Sequence, residues 1–231
     1  MMRFSMSVFS SLGKKIFMGL TGLMLCSFVV VHLVGNLTLL NPDKDPFNKY
    51  SHFLTQELGN IIYVVELLLA AVFLIHFFYA VVITIGNWMA RPKRYAKVTN
   101  ANHTSKKSIA SSTMIYTGLA IITFLVWHLL HFKFGEIIMY TTADGKVIRD
   151  LYTLVYQFYG NIVNVILYLI VMILLGYHLS HGFWSAFQSL GLNGKRFTPF
   201  VYGLGTVFAV IMAIGFVFLP VYIFVITGGA L

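Results

Sequence analysis

Residues 121–135 read IITFLVWHLLHFKFG, an apolar run that would pass for lipid-facing filler but for His128 and His131. A neutral imidazole carries one donor and one acceptor, and hydrocarbon satisfies neither, so something must be bound to these rings. The run itself belongs to an uncharged stretch from Ser108 to Phe132. That is long enough for a helix to cross a bilayer, which takes about 20 residues.

The rest of the chain repeats the pattern. Uncharged runs extend from Ile16 to Leu40 and from Phe197 to Leu231, and a run from Leu58 to Ala90 holds one charge, Glu66. A further uncharged stretch, Leu151 to Gly194, has a polar lead-in, so its spanning part is expected near Gly160 to Leu190. With 58% hydrophobic and 10% charged residues and a mean hydropathy of +0.83, the 231 residues cannot coat a soluble globule with polar surface. The expectation is an all-α integral membrane protein of five transmembrane helices, one domain over residues 1–231, with no soluble catalytic module. The first run is longer than a secretory signal's apolar segment and ends at no small-x-small site, so it is expected to stay as a helix. The single cysteine, Cys26, excludes an intramolecular disulfide and a four-cysteine iron–sulfur centre.

Lys and Arg set the orientation. Arg3, Lys14, Lys15, the segment Arg91 to Lys107 and Lys195 with Arg196 fall on one side, and fewer fall on the other, with six of the seven acids. The positive-inside rule then puts the N-terminus in the cytoplasm and the C-terminus outside. A net charge of +9 is accounted for by this topology and by anionic lipid or an acidic partner, without nucleic acid.

Six of the eight histidines fall on this frame within helices: His32, His76, His128 and His131, His178 and His181; His52 and His103 fall in loops. One intramembrane histidine can be a packed residue bonded to a backbone carbonyl. Histidines on four separate helices point to function. By a rise of about 1.5 Å per residue, His32 and His128 lie roughly 9 and 12 Å outward of their helix midpoints, and His76 and His178 roughly 5 and 8 Å inward. Alternating helix directions thus sort four histidines into two pairs, one per leaflet. Two bis-histidine sites stacked across a membrane suit two haems b, both low-spin, in a four-helix haem-binding bundle. Gly35, Ala80 and Gly182 follow three of these ligands by three or four residues and would leave room for a flat group. His131 and His181, nearer the headgroups, suit a propionate partner or a hydrated imidazole.

The stretches SSLGKKIFMGLTGLMLCSFVVVHLVGN, FNKYSHFL, LIHFFYA, FLVWHLLH and GYHLSHGFWSAF together resemble the membrane-anchor cytochrome b of succinate:quinone oxidoreductases, succinate dehydrogenase and fumarate reductase, of the five-helix, two-haem type. The resemblance implies that His76 and His178 ligate the haem nearer the cytoplasm and His32 and His128 the outer haem. It implies a flavoprotein and an iron–sulfur subunit docked on the cytoplasmic face of a bacterial-type inner membrane, electron transfer to or from a quinone, with menaquinone the better guess, and no succinate chemistry on this chain. One position departs: some fumarate reductases of this type carry a glutamate two residues before the inner ligand of the fourth helix, where this chain has Gly176. The alternatives are a di-haem subunit of a hydrogenase or formate dehydrogenase, and a haem-free histidine-relay transporter. Glu66, the only acid in any of the five runs, is expected in a quinone site near the outer haem, handling protons with His52 as the exit to water.

Overall fold

The computed structural model describes residues 10–90 and 109–229. Arg3, the segment 91–107 whose Lys and Arg helped set the orientation, and His103 lie outside the described residues. Among the described residues, five helices are long and apolar enough to cross a membrane: α1 (Ser11–Asn36), α3 (Asn60–Met89), α4 (Ile109–Phe132), α6 (Ile162–Ser189) and α7 (Phe197–Ile226). This is a multi-pass membrane architecture. The side on which α1 begins is called here the near side, and the other the far side.

Helix α1 starts five residues before its uncharged run because Ser10 caps it, the hydroxyl accepting from Gly13 N at 3.0 Å. Lys14 and Lys15 therefore sit in its first turns, where long stems can carry their charges to the headgroups. At the other end Asn36 Nδ2 donates to the His32 carbonyl at 2.8 Å, and the chain tightens into a 3-10 turn, Leu37–Leu40. Helix α6 packs against α1, α4 and α7, and α1 packs against α3, while α3 and α4 touch little. Small residues set the α6–α7 distance: a Cβ on Gly205 would stand 3.1 Å from Phe183 Cδ1, and one on Gly176 2.9 Å from Ala213 Cβ. A glutamate at 176 would have no room beside α7.

The far-side connections, expected as loops, form a folded cap. It comprises α2 (Asp45–His52), a π turn (Phe53–Glu57), an antiparallel hairpin of β1 (Met139–Thr141) and β2 (Val147–Arg149), and α5 (Leu151–Tyr159). Asp150 is its hub. Only 3% exposed, its carboxylate accepts from Lys44 Nζ at 2.6 Å, Asn48 Nδ2 at 2.8 Å, and Thr153 N and Oγ1 at 3.0 and 2.9 Å. Burial works to raise its pKa, but the hydrogen bonds from Lys44, Thr153 and Asn48 outweigh it and hold the carboxyl below the usual range. Asn48, fully buried, accepts at Oδ1 from Tyr152 N at 2.8 Å. Sequence patterning missed this cap because its elements are short and cohere through buried polar bonds, which leave no periodicity.

Candidate haem-binding site

Four of the six histidines in the spanning helices meet in two pairs. The His32 and His128 rings, from α1 and α4, have centroids 5.8 Å apart, and the His76 and His178 rings, from α3 and α6, 6.4 Å apart. A metal–imidazole bond is about 2 Å, and the ring centre lies about 1 Å beyond the nitrogen, so two imidazoles sharing one metal stand about 6 Å apart by centroid. Both pairs have that spacing.

His32 and His128 each lie four residues before the far end of their helices, about 6 Å along the axis. His76 and His178 sit within about 4 Å of their helix midpoints, closer to the middle of the membrane than expected, because α3 and α6 run well beyond them on both sides. Their offsets from the helix midpoints put the two levels about 15 Å apart.

The repetition behind this arrangement is written in the sequence. Thr21 to His32 reads TGLMLCSFVVVH and Thr117 to His128 reads TGLAIITFLVWH, identical at six of twelve positions. Likewise QELGNI, 56–61, and QFYGNI, 157–162, open α3 and α6. Each half is a long helix, a short far-side helix and a second long helix, and the extra element, α7, follows the second half. The threonines that head the repeated segments are the residues that composition and hydropathy missed. Thr21 Oγ1 lies 3.1 Å from His76 Nδ1, and Thr117 Oγ1 3.1 Å from His178 Nδ1. At the far level, the Tyr168 hydroxyl lies 2.9 Å from His128 Nδ1. Ring contacts repeat as well: Phe28 on His32 at 5.4 Å and Phe124 on His128 at 5.6 Å.

Wherever a hydrogen-bond partner is present, it engages Nδ1 and leaves Nε2 for a ligand, as second-shell groups do around metal-binding imidazoles. Among the described residues, no group of three or more His, Cys, Asp or Glu gathers. Two imidazoles alone suit a metal that brings its other ligands with it, as haem iron does. His181, three residues beyond His178, has a buried Nδ1 with no hydrogen-bond partner among the described residues, an atom that a haem propionate would satisfy. His131 Nδ1 instead meets the Trp127 carbonyl at 2.9 Å. Room is uneven: a Cβ at Gly182 would meet nothing within 4 Å, whereas one at Gly35 would run into the Tyr50 ring. Gly35 therefore serves the cap rather than a flat group.

The acid candidates separate. Glu66 pairs with Lys133, just past the end of α4, so the carboxylate is bridged across the cleft between α3 and α4. His52 lies 4.0 Å from Glu57 and lines a pocket of about 260 Å³ on the cap with Lys49, Glu57, Asp144 and Lys146. No contact joins His52 to Glu66 among the described residues.

No protein-family model, no curated protein and no solved structure matches this chain.

Proposed function

We propose that the chain is the membrane anchor and di-haem cytochrome b of a succinate:quinone oxidoreductase, a succinate dehydrogenase or fumarate reductase, carrying electrons between a cytoplasmic iron–sulfur subunit and membrane quinone. The observation that carries this reading is the meeting of four histidines from four helices in two pairs, each at the ring spacing of a shared metal. The near pair, His76 and His178, would hold the inner haem b, and the far pair, His32 and His128, the outer one. The near side would face the cytoplasm of a bacterial-type inner membrane, since Lys14, Lys15, Lys195 and Arg196 gather there. The flavoprotein and iron–sulfur subunits would dock on that face. Haem with two imidazoles and no open position supplies one-electron transfer without binding gases.

The chain's own residues would orient those groups and move protons. His32, His76, His128 and His178 offer Nε2 to iron, and apolar helix faces exclude water from both levels. At the far level Glu66, paired with Lys133, is the acid available to a quinone, menaquinone by preference. Quinol oxidation releases two protons and quinone reduction takes up two, so a carboxylate exchanging protons there serves either direction. His52 and the polar pocket around it offer an exit to the outer aqueous phase.

Purification through a tag on this chain tests the reading. Expected are a co-purifying flavoprotein and iron–sulfur protein, b-type absorption, and succinate oxidation coupled to a menaquinone analogue. Co-purification of a hydrogenase or formate dehydrogenase subunit, or a haem-free chain, would overturn it.

A further inference from the structure

The near pair has hydrogen-bond partners of one kind and the far pair of another. Each threonine hydroxyl beside the near pair has a single proton, and its own helix takes it. Thr21 Oγ1 donates to the Phe17 carbonyl at 2.7 Å, and Thr117 Oγ1 to the Met114 or Thr113 carbonyl at 3.1 and 3.3 Å. With that proton committed, each hydroxyl can only accept from the imidazole, so Nδ1 of His76 and of His178 must carry the hydrogen. A neutral imidazole protonated at Nδ1 has its lone pair on Nε2. The glycine after each threonine lets the ring edge lie against bare backbone: a Cβ on Gly22 would stand 3.3 Å from His76 Cε1, and one on Gly118 3.6 Å from His178 Cε1.

The far pair lacks this device. Its hydroxyl partner, Tyr168, can either give a proton to His128 Nδ1 or accept one from it, because no backbone carbonyl claims the phenol proton among the described residues. The His32 ring has no hydrogen bond among the described residues and is flanked by Phe28 and Phe216, with centroids at 5.4 and 6.1 Å.

We propose that Thr21 and Thr117 are positioning residues that lock His76 and His178 in the Nδ1-protonated form. The near pair is thus a ready-made metal-group site, whereas the far pair becomes fixed only on ligation. The inference rests on the haem reading above. It extends that reading to two residues that touch neither metal nor quinone.

The test is the double variant Thr21→Val/Thr117→Val in the intact complex, with Thr21→Ser/Thr117→Ser as the rescue. Valine keeps the shape and removes the acceptor. Second-shell losses weaken metal retention by about 10- to 100-fold, so the near-pair haem should transfer to a haem-accepting apoprotein faster by that factor, with the far-pair haem unchanged and serine restoring retention. A haem-independent readout is magnetic resonance of isotope-labelled histidine in the full chain from haem-starved membranes. Two rings should show the proton on Nδ1 in the wild type and a mixture of tautomers in the valine variant. Unchanged near-pair retention, or an unchanged tautomer population in that variant, would overturn the lock. A wild type without haem would sink the haem reading, and the tautomer measurement would still decide the role of the two threonines.

Discussion

The near and far histidine pairs are assembled from the same repeated parts, yet their surroundings differ. Around the near pair, α1 and α4 contribute the same Thr-Gly step, and each half supplies its own hydroxyl to its own histidine. Around the far pair the halves diverge. His128 is enclosed by Phe124, Phe132 and Tyr168, while His32 leans on Phe216 from α7, which has no counterpart in the first half. The far pair also lies beneath the cap: Tyr159 of α5, buried, packs edge-on against Tyr168 with ring centroids 5.0 Å apart, and the Tyr168 hydroxyl meets His128. A duplicated frame thus yields one level of matched environment and one level tied to the far-side cap. The difference between the two levels enters through the neighbours of the histidines, not through the histidines themselves.

Removing a ligand breaks the comparison most severely. His76→Ala or His178→Ala should abolish the near-pair haem and leave the far one, and His32→Ala or His128→Ala should do the reverse. Redox-titrated difference spectra of the four variants check this, and loss of the same component in all four would show the pairs are not separate sites.

Next in size is the far-level acid. Glu66→Gln should keep both haems and dye-linked succinate oxidation while lowering quinone-linked turnover about 10-fold or more, the range of a lost acid–base group. Because Lys133 bridges to Glu66 across the α3–α4 cleft, Lys133→Gln should lower the same turnover in the same assay. Normal quinone-linked turnover in both variants would remove the ion pair from the mechanism.

The cap gives a smaller and one-sided effect. Asp150→Ala strands Asn48 Nδ2 and Lys44 and should cost about 3 kcal/mol of cap stability, read as faster proteolysis of the far-side segments and a shifted far-pair spectrum with the near pair intact. The native carboxyl is held below the usual range, so its contribution is present above the unfolded carboxylate pKa of about 4 and is lost as pH falls through the lower folded value. Proteolysis should accelerate on acidification in the wild type and show no such pH step in the Ala variant. Smallest of all is Lys49→Met. Its partners Asp45 and Asp144 lie at 3.2 and 2.8 Å, the Lys49 and Asp144 side chains are solvent-exposed, and neither haem spectrum nor thermal midpoint should move measurably.

The sequence disclosed the five spans because bilayer crossing needs long uncharged runs, and these are unmistakable. It also disclosed which histidines pair, since alternating helix direction turns sequence position into depth. Three features escaped that reading for identifiable reasons. Asp150, Asn48 and Lys44 build the cap from residues about a hundred positions apart, a relation that no local pattern carries. Gly35 looked like room for a flat group, but its open face is filled by Tyr50 from α2. Thr21 and Thr117 read as ordinary small polar residues of membrane helices until the repeat TGL…F.V.H is aligned with itself, and that signal was available from the chain alone.

The most direct test of the central claim is a haem count on the purified wild-type chain, combined with low-temperature electron paramagnetic resonance. Two pairs of imidazoles, each closing one iron, predict two b-type haems per chain with two distinct low-spin signals and no high-spin component. One haem, none, or a high-spin signal with an open iron position would contradict it.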